Sequence, residues 1–231
     1  MTPELQILMW WLLFGATHVL GSSVPVRTAV IDKIGLRGFK GLYSLVSFAT
    51  FIPLVYVFFT NKGGGAMLFR PSAVMMHVTE IFMVLAFIVF AQAAATPNPM
   101  TTAADMSGDF SRQPRGIQRI TRHPGNMAFT LFAIGHMFSN PYLGDWVFFG
   151  GFVVFGIIST MHQDRRTLAS GRPEVAQFQS ETSLLPFAAV LSGKQRLALM
   201  EYSKGALVVG IALAGVLWYL HPVIFGGFGA A

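Results

Sequence analysis

Residues 119–166 read RITRHPGNMAFTLFAIGHMFSNPYLGDWVFFGGFVVFGIISTMHQDRR, with two apolar segments on either side of a polar turn at 139–141. Basic residues flank this pair of segments at both ends, and His136 lies inside the first of them. Ionisable side chains are costly within a lipid bilayer, and those that occur there usually carry function. The stretch therefore predicts two membrane-spanning helices and one candidate functional residue.

The composition of the chain is typical of an integral membrane protein whose main surroundings are membrane lipid. Hydrophobic residues make up 53% of its 231 residues and charged residues 11%, whereas a soluble domain has about 25% charged residues. No cysteine is present, which excludes disulfides, thiolate catalysis and metal or iron–sulfur sites built from cysteine. Membrane topology explains the net charge of +6 better than nucleic-acid binding does.

The alternation of apolar segments and polar loops predicts an all-α bundle of about six transmembrane helices in a single domain, 1–231. Each span needs about 20 apolar residues. The N-terminus lacks a basic n-region and a small-residue cleavage site, so we expect the first apolar segment to be a retained span. The segments 25–40, 61–71, 96–123 and 163–202 are predicted to be loops. The predicted spans are 5–24, 41–60, 72–95, 124–140, 142–161 and 204–222.

The positions of lysine and arginine predict the orientation of this bundle. All but two of the 16 lysine and arginine residues lie in the loops after spans one, three and five or at the start of span six. The exceptions are Lys62 and Arg70. Because basic loops face the cytoplasm, we expect both termini on the non-cytoplasmic side of the membrane.

The histidines are the main candidates for chemistry inside the membrane. His18 and His136 lie deepest in the predicted spans, at levels that differ by about 8 Å. The error of the span boundaries covers this difference, so the two could share a ligand. Two membrane histidines in a chain without cysteine favour haem ligation over zinc, although close helix packing explains the small residues beside His18 equally well. His77 is closer in depth to His136 and stays open as an alternative partner.

Glu80 is the only carboxylate well inside a predicted span. It follows His77 by three residues and shares its helix face, so we interpret the two as a buried ionisable pair. Such a pair could relay a proton, with Glu80 in a catalytic role, or orient a ligating histidine. A structural polar contact between helices is the alternative.

The predicted cytoplasmic loops contain residues suited to an anionic group. Arg122 and His123 precede the fourth span, while Asp164, Arg165 and Arg166 follow the fifth at a helix end. These groups could bind haem propionates, phosphate headgroups or a nucleotide cofactor. The topology rule alone also explains the arginines.

Several ordered motifs together resemble the NnrU family, which also contains the plant 15-cis-zeta-carotene isomerases. The resemblance covers nearly the whole chain. The motifs are His18, RGFKGLYSLVS at 37–47, RITRHP at 119–124, Gly135-His136, DRR at 164–166 and TSLLPFAAVLSGKQ at 182–195.

This resemblance implies haem b held by His18 and His136 in a multi-pass protein of the bacterial inner membrane. In plant members the haem supports cis–trans isomerisation of the central double bond of zeta-carotene, whereas bacterial members are associated with nitrite and nitric oxide reduction. The implied partner is an apolar polyene or a redox partner. Plant members carry a further histidine where this chain has Phe155, which puts the isomerase activity in doubt.

Two other functions stay open. Arg-His-Pro at the cytoplasmic end of a span, followed by an acidic-basic cluster, also resembles the isoprenylcysteine methyltransferases, which bind S-adenosylmethionine. The paired glutamates usual in that family are absent, and Gln163-Asp164 stands in their place. The third possibility is a non-catalytic helper subunit of a nitrogen-oxide reductase that delivers electrons or assists assembly.

Overall fold

The computed structural model describes residues 1–110 and 113–226, except for the side chain of Thr102. Helices make up the regular structure of this described part, and it has no β-strand beyond an isolated bridge between Met67 and Tyr142. Short 3₁₀ turns occupy Gly116–Arg119 and Leu199–Glu201. The α-helices are α1 Pro3–Ser22, α2 Val24–Thr60, α3 Ala73–Ala95, α4 Thr102–Ser107, α5 Pro124–Ser139, α6 Leu143–Leu168, α7 Pro173–Glu181, α8 Ala188–Leu191 and α9 Lys204–Phe225.

Among the described residues, five helices are long and apolar enough to cross a membrane, namely α1, α2, α3, α6 and α9. The predicted all-α membrane class is therefore confirmed. Helix α5 has 16 residues and is about 24 Å long, which is shorter than a hydrocarbon core of about 30 Å. The count of six spans and the side on which the termini lie stay predictions.

Two of the segments predicted as loops are largely helical. Helix α2 begins at Val24 and is interrupted at Gly35, whose φ of +74° and ψ of 168° are not helical. Glycine adopts this positive φ without strain, so one helix ends and another begins there. Helix α6 continues beyond 161 to Leu168, and the arginines of its last turn interact favourably with the helix dipole. Apolar runs mark where a chain crosses lipid, but they do not mark where a helix ends.

The chain divides into two compact units. The first contains Met1–Thr79 and Ala133–Gly171, and the second contains Glu80–Phe132 and Arg172–Ala231. The predicted single domain stays a prediction.

The first unit depends on the close approach of Trp11 in α1 to Gly151 in α6. The indole Nε1 donates a hydrogen bond to the carbonyl oxygen of Phe148 at 3.1 Å. A Cβ at position 151 would collide with that nitrogen, so the approach requires glycine. The rings of Phe152 and Phe155 lie 4.8 and 6.1 Å from the indole. These contacts fix how α1 lies along α6.

The glycine-rich loop after α2 caps the start of α6. The backbone N–H of Gly144 donates to the carbonyl of Gly64 at 3.1 Å, and that of Leu143 donates to Ala66 at 2.9 Å. Asp145 is buried and accepts a hydrogen bond from the backbone N–H of Tyr142 at 3.2 Å. The loop thus satisfies backbone donors that a helix N-terminus leaves without intrahelical partners.

In the second unit, α3 packs closely against α9 at Gly210. A Cβ on Gly210 would lie 2.7 Å from the Cα of Ile88, so only glycine fits. Small residues at such positions let membrane helices approach closely. Gln92, one turn after Ile88 in α3, is buried and binds both backbone groups of Ser203, which precedes α9. Its Nε2 donates to the Ser203 carbonyl at 2.8 Å, and its Oε1 accepts from the Ser203 N–H at 3.1 Å.

We expect Gly151→Ala to destabilise the protein by about 1–3 kcal/mol, or roughly 2–10 °C in Tm, because the added methyl group displaces Trp11. The neighbouring Gly150→Ala is the matched control, since a Cβ at Gly150 meets nothing within 4 Å. Thermal unfolding of both variants in detergent, followed by far-ultraviolet circular dichroism, measures the difference. Equal Tm values for the two variants would contradict this account of the packing.

Candidate functional site

His18 lies in α1 among aromatic rings of the first unit. The ring centroids of Tyr43, Phe14 and Phe155 lie 4.8, 5.1 and 5.1 Å from that of the imidazole. The hydroxyl of Tyr43 donates to the carbonyl oxygen of His18 at 3.0 Å. Because Trp11, Phe14 and His18 follow at intervals of three and four residues, they lie on one face of α1. The packing of Trp11 against α6 therefore also sets the position of His18.

Ser47 lies within hydrogen-bonding distance of His18 Nδ1, and its other hydrogen bond favours one tautomer of the imidazole. The Oγ of Ser47 lies 3.3 Å from His18 Nδ1, and the same hydroxyl donates to the carbonyl oxygen of Tyr43 at 2.8 Å. A hydroxyl has one hydrogen, so a Ser47 that donates to Tyr43 accepts from Nδ1–H. The lone pair of His18 then lies on Nε2. This is the arrangement of a metal-ligating histidine, whose other ring nitrogen donates to a neighbouring group.

His136 lies in α5 and stacks on Phe149 of α6, with ring centroids 4.7 Å apart and ring planes 20° apart. Its backbone carbonyl accepts a hydrogen bond from Asn140 Nδ2 at 2.8 Å. The preceding carbonyl, that of Gly135, accepts from the hydroxyl of Thr79 in α3 at 2.8 Å. The helical position of His136 is thus tied to α3 and α6.

Both histidines belong to the first unit and contact the same helix at different heights. His18 contacts Phe155 and His136 contacts Phe149. These two phenylalanines are separated by about 9 Å along α6 and by about 120° around its axis.

No group of three or more His, Cys, Asp or Glu side chains that could hold a metal ion occurs among the described residues. A haem iron takes four ligands from its porphyrin and needs at most two from the protein. His18 could offer its Nε2 as one such donor in the tautomer that Ser47 favours, and aromatic rings surround its imidazole.

His77 and Glu80, interpreted from the sequence as an ionisable pair within the membrane, both have side chains that no other part of the protein covers on α3. The sequence indicates how deep a residue lies in a span, but not which face of that span is covered by another helix. Their proposed roles in catalysis or ligand orientation stay predictions.

The loop motifs at 119–124 and 182–195 are joined by hydrogen bonds in the second unit. The backbone N–H of Arg122 donates to the carbonyl of Ser183 at 2.9 Å, and its Nη2 donates to that of Thr182 at 2.9 Å. The hydroxyl of Thr121 donates to the carbonyl of Leu184 at 3.1 Å, while the side chain of His123 is buried. Arg122 therefore holds loop backbone, and binding of a cofactor by Arg122 or His123 stays a prediction.

Asp164, Arg165 and Arg166 lie in the last turns of α6, in the first unit. Arg166 is close enough for its charge to act on both His18 and Tyr43. One turn earlier, the Nε2 of His162 is buried and has no hydrogen-bond partner. Phe155, His162 and Arg166 share one face of α6, because they are separated by seven and four residues. Arg166 thus lies on the face of α6 that also carries Phe155, whose ring contacts His18.

Sequence reasoning missed two sets of residues. Tyr43 and Ser47 lie inside the motif at 37–47, and their spacing of four residues was the available signal that both face one helix. The second set is centred on Arg119, which forms two hydrogen bonds with Glu201, Nε to Oε2 at 2.8 Å and Nη2 to Oε1 at 2.7 Å. Nothing in the sequence indicates a pairing across 82 residues.

The pKa of Glu201 is lowered to about 2, chiefly by the hydrogen bonds from Arg119 and also by one from the backbone N–H of Gly116 at 2.8 Å. Its ordinary pKa is 4.5. A carboxyl group whose pKa is lower in the folded state stabilises the fold above its unfolded pKa and loses this effect as the pH falls.

We therefore expect the Tm of the protein to fall as the pH is lowered from about 4.5 towards about 2, because Glu201 becomes protonated and its pairing with Arg119 is lost. In Glu201→Gln the Tm at neutral pH should be lower by a few degrees and its fall across this pH range smaller. Glu174→Gln, at an exposed position of α7, is the control and should keep the wild-type profile. An unchanged pH profile in Glu201→Gln would refute the assignment.

Comparison with known proteins relates this chain to one protein family and to two plant enzymes. A family model described as NnrU protein matches residues 6–227. The chain is similar to the chloroplastic 15-cis-zeta-carotene isomerase of Arabidopsis thaliana, at 24% identity over 232 residues that cover 97% of this chain and 62% of the relative. It is also similar to the isomerase of the same description from Zea mays, at 23% identity over 228 residues, covering 96% and 61%. The chain thus spans about three fifths of the length of these relatives. No solved structure matches it.

Proposed function

The chain belongs to the NnrU family, and we propose that it binds haem b in the bacterial inner membrane through His18 and His136. The observation that carries this proposal is the contact between Ser47 and His18 Nδ1, at 3.3 Å. It leaves Nε2 as the electron-pair donor and holds the imidazole in one orientation. The stack of His136 on Phe149 orients the second imidazole.

The proposed protein has six spans, with both termini on the non-cytoplasmic side, as the distribution of basic residues favours. Helix α5 would be the shortest span, at 16 residues. A span of about 24 Å is accommodated by local thinning of the bilayer at modest cost. In this topology His18 lies nearer the cytoplasm than His136, and Arg166 lies on the cytoplasmic side of His18.

The surrounding residues have distinct proposed roles. Bound haem b supplies an iron that exchanges one electron at a time. Ser47 holds the proton on His18 Nδ1, and the rings of Phe14 and Phe155 exclude water from the imidazole. Arg166 offers a positive charge to a carboxylate at the cytoplasmic side.

We favour an electron-carrying role, linked to nitrite and nitric oxide metabolism through a redox partner, either as an enzyme or as a helper subunit. The family membership supports this role over that of an S-adenosylmethionine-dependent methyltransferase. Isomerisation of an apolar polyene is the second candidate, because the relatives described as 15-cis-zeta-carotene isomerases match nearly the whole chain. Against it stands Phe155, which packs on His18 with ring centroids 5.1 Å apart at the place where plant members carry a histidine.

We expect the purified protein to show the Soret band of a haem, and His18→Ala and His136→Ala each to lose the six-coordinate spectrum. Ser47→Ala should lower the affinity for haem about 10-fold or more, because the ligating imidazole loses its orienting partner. Absorption spectra and haem titrations of the variants measure both effects. His221→Ala, in α9, is the matched histidine control and should keep the wild-type spectrum. A wild-type spectrum in His18→Ala would refute the ligand assignment.

The two catalytic candidates are separated by an assay of the reconstituted protein with 15-cis-zeta-carotene under reducing conditions. An electron carrier is expected to show no conversion, and Phe155→His tests whether the missing histidine accounts for that. Conversion by the wild-type protein would overturn the electron-carrier proposal in favour of the isomerase. Binding of S-adenosylmethionine, measured by calorimetry, would instead favour the methyltransferase.

A further inference from the structure

We propose that residues 191–200 form a membrane-surface segment that binds the phosphate of an anionic phospholipid. The segment connects α8 to the 3₁₀ turn at Leu199–Glu201, and α9 begins at Lys204 directly afterwards. Because α9 is one of the helices that can cross a membrane, residues so close to its start lie near the surface of the bilayer. The site is independent of the proposed haem and belongs to the second unit.

Exposed apolar side chains dominate this segment. Leu191 is 85% exposed, Leu199 77% and Met200 90%. The preceding Leu197 is 48% exposed. In water each such side chain lacks the stabilisation that burial would provide. At the boundary between lipid headgroups and acyl chains, the lipid itself buries the same side chains.

Two basic side chains, Lys194 and Arg196, lie between these apolar ones in the sequence. A surface cavity of about 450 Å³ is lined by Arg119, Glu181, Gly193, Lys194, Gln195 and Arg196. Three cations face a single carboxylate in this lining, so its net charge is positive. Arg119 is already engaged by Glu201, which leaves Lys194 and Arg196 as the groups that approach a ligand.

The chemistry of Lys194 and Arg196 suits a phosphate. Lys194 Nζ donates to the carbonyl of Ser180 at 3.2 Å, and an ammonium group has two further hydrogens to donate. Arg196 is exposed, and its planar guanidinium binds phosphate oxygens with two parallel hydrogen bonds. The Arg119–Glu201 pair is partly exposed, and Arg119 also fixes Gln195, whose Oε1 accepts from Arg119 Nη1 at 2.5 Å.

A phospholipid satisfies both features of the segment at once. Its phosphate matches the positive cavity, and its acyl chains cover the leucine and methionine side chains. A free phosphate would match only the cavity and would leave Leu191, Leu199 and Met200 in water. The apolar residues on both sides of Lys194 and Arg196 therefore favour the lipid as the source of the phosphate.

The absence of cysteine allows a direct test of depth. The variants Met200→Cys and Leu199→Cys, labelled with a fluorophore and reconstituted in vesicles of phosphatidylcholine and phosphatidylglycerol, should be quenched by lipids that carry a nitroxide at a shallow acyl position. Glu174→Cys, on the exposed surface of α7, is the control and should be quenched by a water-soluble quencher instead. Labels at 199 and 200 that respond like the control would overturn the proposal.

The phosphate contact is tested by lipid selectivity of the full chain. Lys194→Gln and Arg196→Gln should each lower the preference for phosphatidylglycerol over phosphatidylcholine about fivefold, measured with fluorescent lipid analogues. Arg70→Gln removes an exposed charge from a different loop and should leave the preference unchanged. An equal loss in Arg70→Gln, or no loss in either variant of the segment, would overturn the site.

A competition experiment distinguishes binding of the lipid from binding of free phosphate. Inorganic phosphate added to the detergent-solubilised protein should not displace the bound phosphatidylglycerol analogue. Displacement at millimolar concentrations would show that the cavity binds soluble phosphate and would overturn the assignment to lipid. The haem spectrum of each variant, recorded in parallel, should be that of the wild type, so a failure of this site is distinct from a failure of the haem assignment.

Discussion

The contact between the Trp11 indole and the backbone of α6 at Gly151 constrains the first unit more than any other. An indole can donate its N–H to the carbonyl of Phe148 only where the facing residue has no side chain. In a membrane, where hydrophobic burial does not hold helices together, close packing and hydrogen bonds between helices do. This contact combines the two, and it sets the position of α1 along α6. His18 lies two turns further along the same face of α1.

The histidine site and the loop structure are stabilised by different means. His18 is oriented by aromatic rings and by a hydrogen bond with Ser47. His136 is oriented by stacking on Phe149. The loops of the second unit are held by charged and backbone hydrogen bonds, with Arg119 on Glu201 and Arg122 on Thr182. Arg122, predicted from the sequence to bind an anionic group, thus also holds loop backbone.

The sequence was sufficient for the class of fold, because the length of an apolar segment is a local signal. It was insufficient where the answer depends on a distant partner. The exposure of His77 and Glu80 depends on which face of α3 is covered, and the pairing of Arg119 with Glu201 joins residues 82 positions apart. The continuation of α6 to Leu168 was missed because charged residues extend a helix as readily as apolar ones do. Ser47 was within a recognised motif, yet its role follows only from its distance to His18.

The central claim is that His18 is a haem ligand whose Nδ1–H is held by Ser47. Electron paramagnetic resonance of the oxidised, purified protein tests it most directly, because the signal reports the number and type of axial ligands. We expect the low-spin signal of a haem with two imidazole ligands, and its conversion to a high-spin signal in His18→Ala. A low-spin bis-imidazole signal that persists in His18→Ala would contradict the claim.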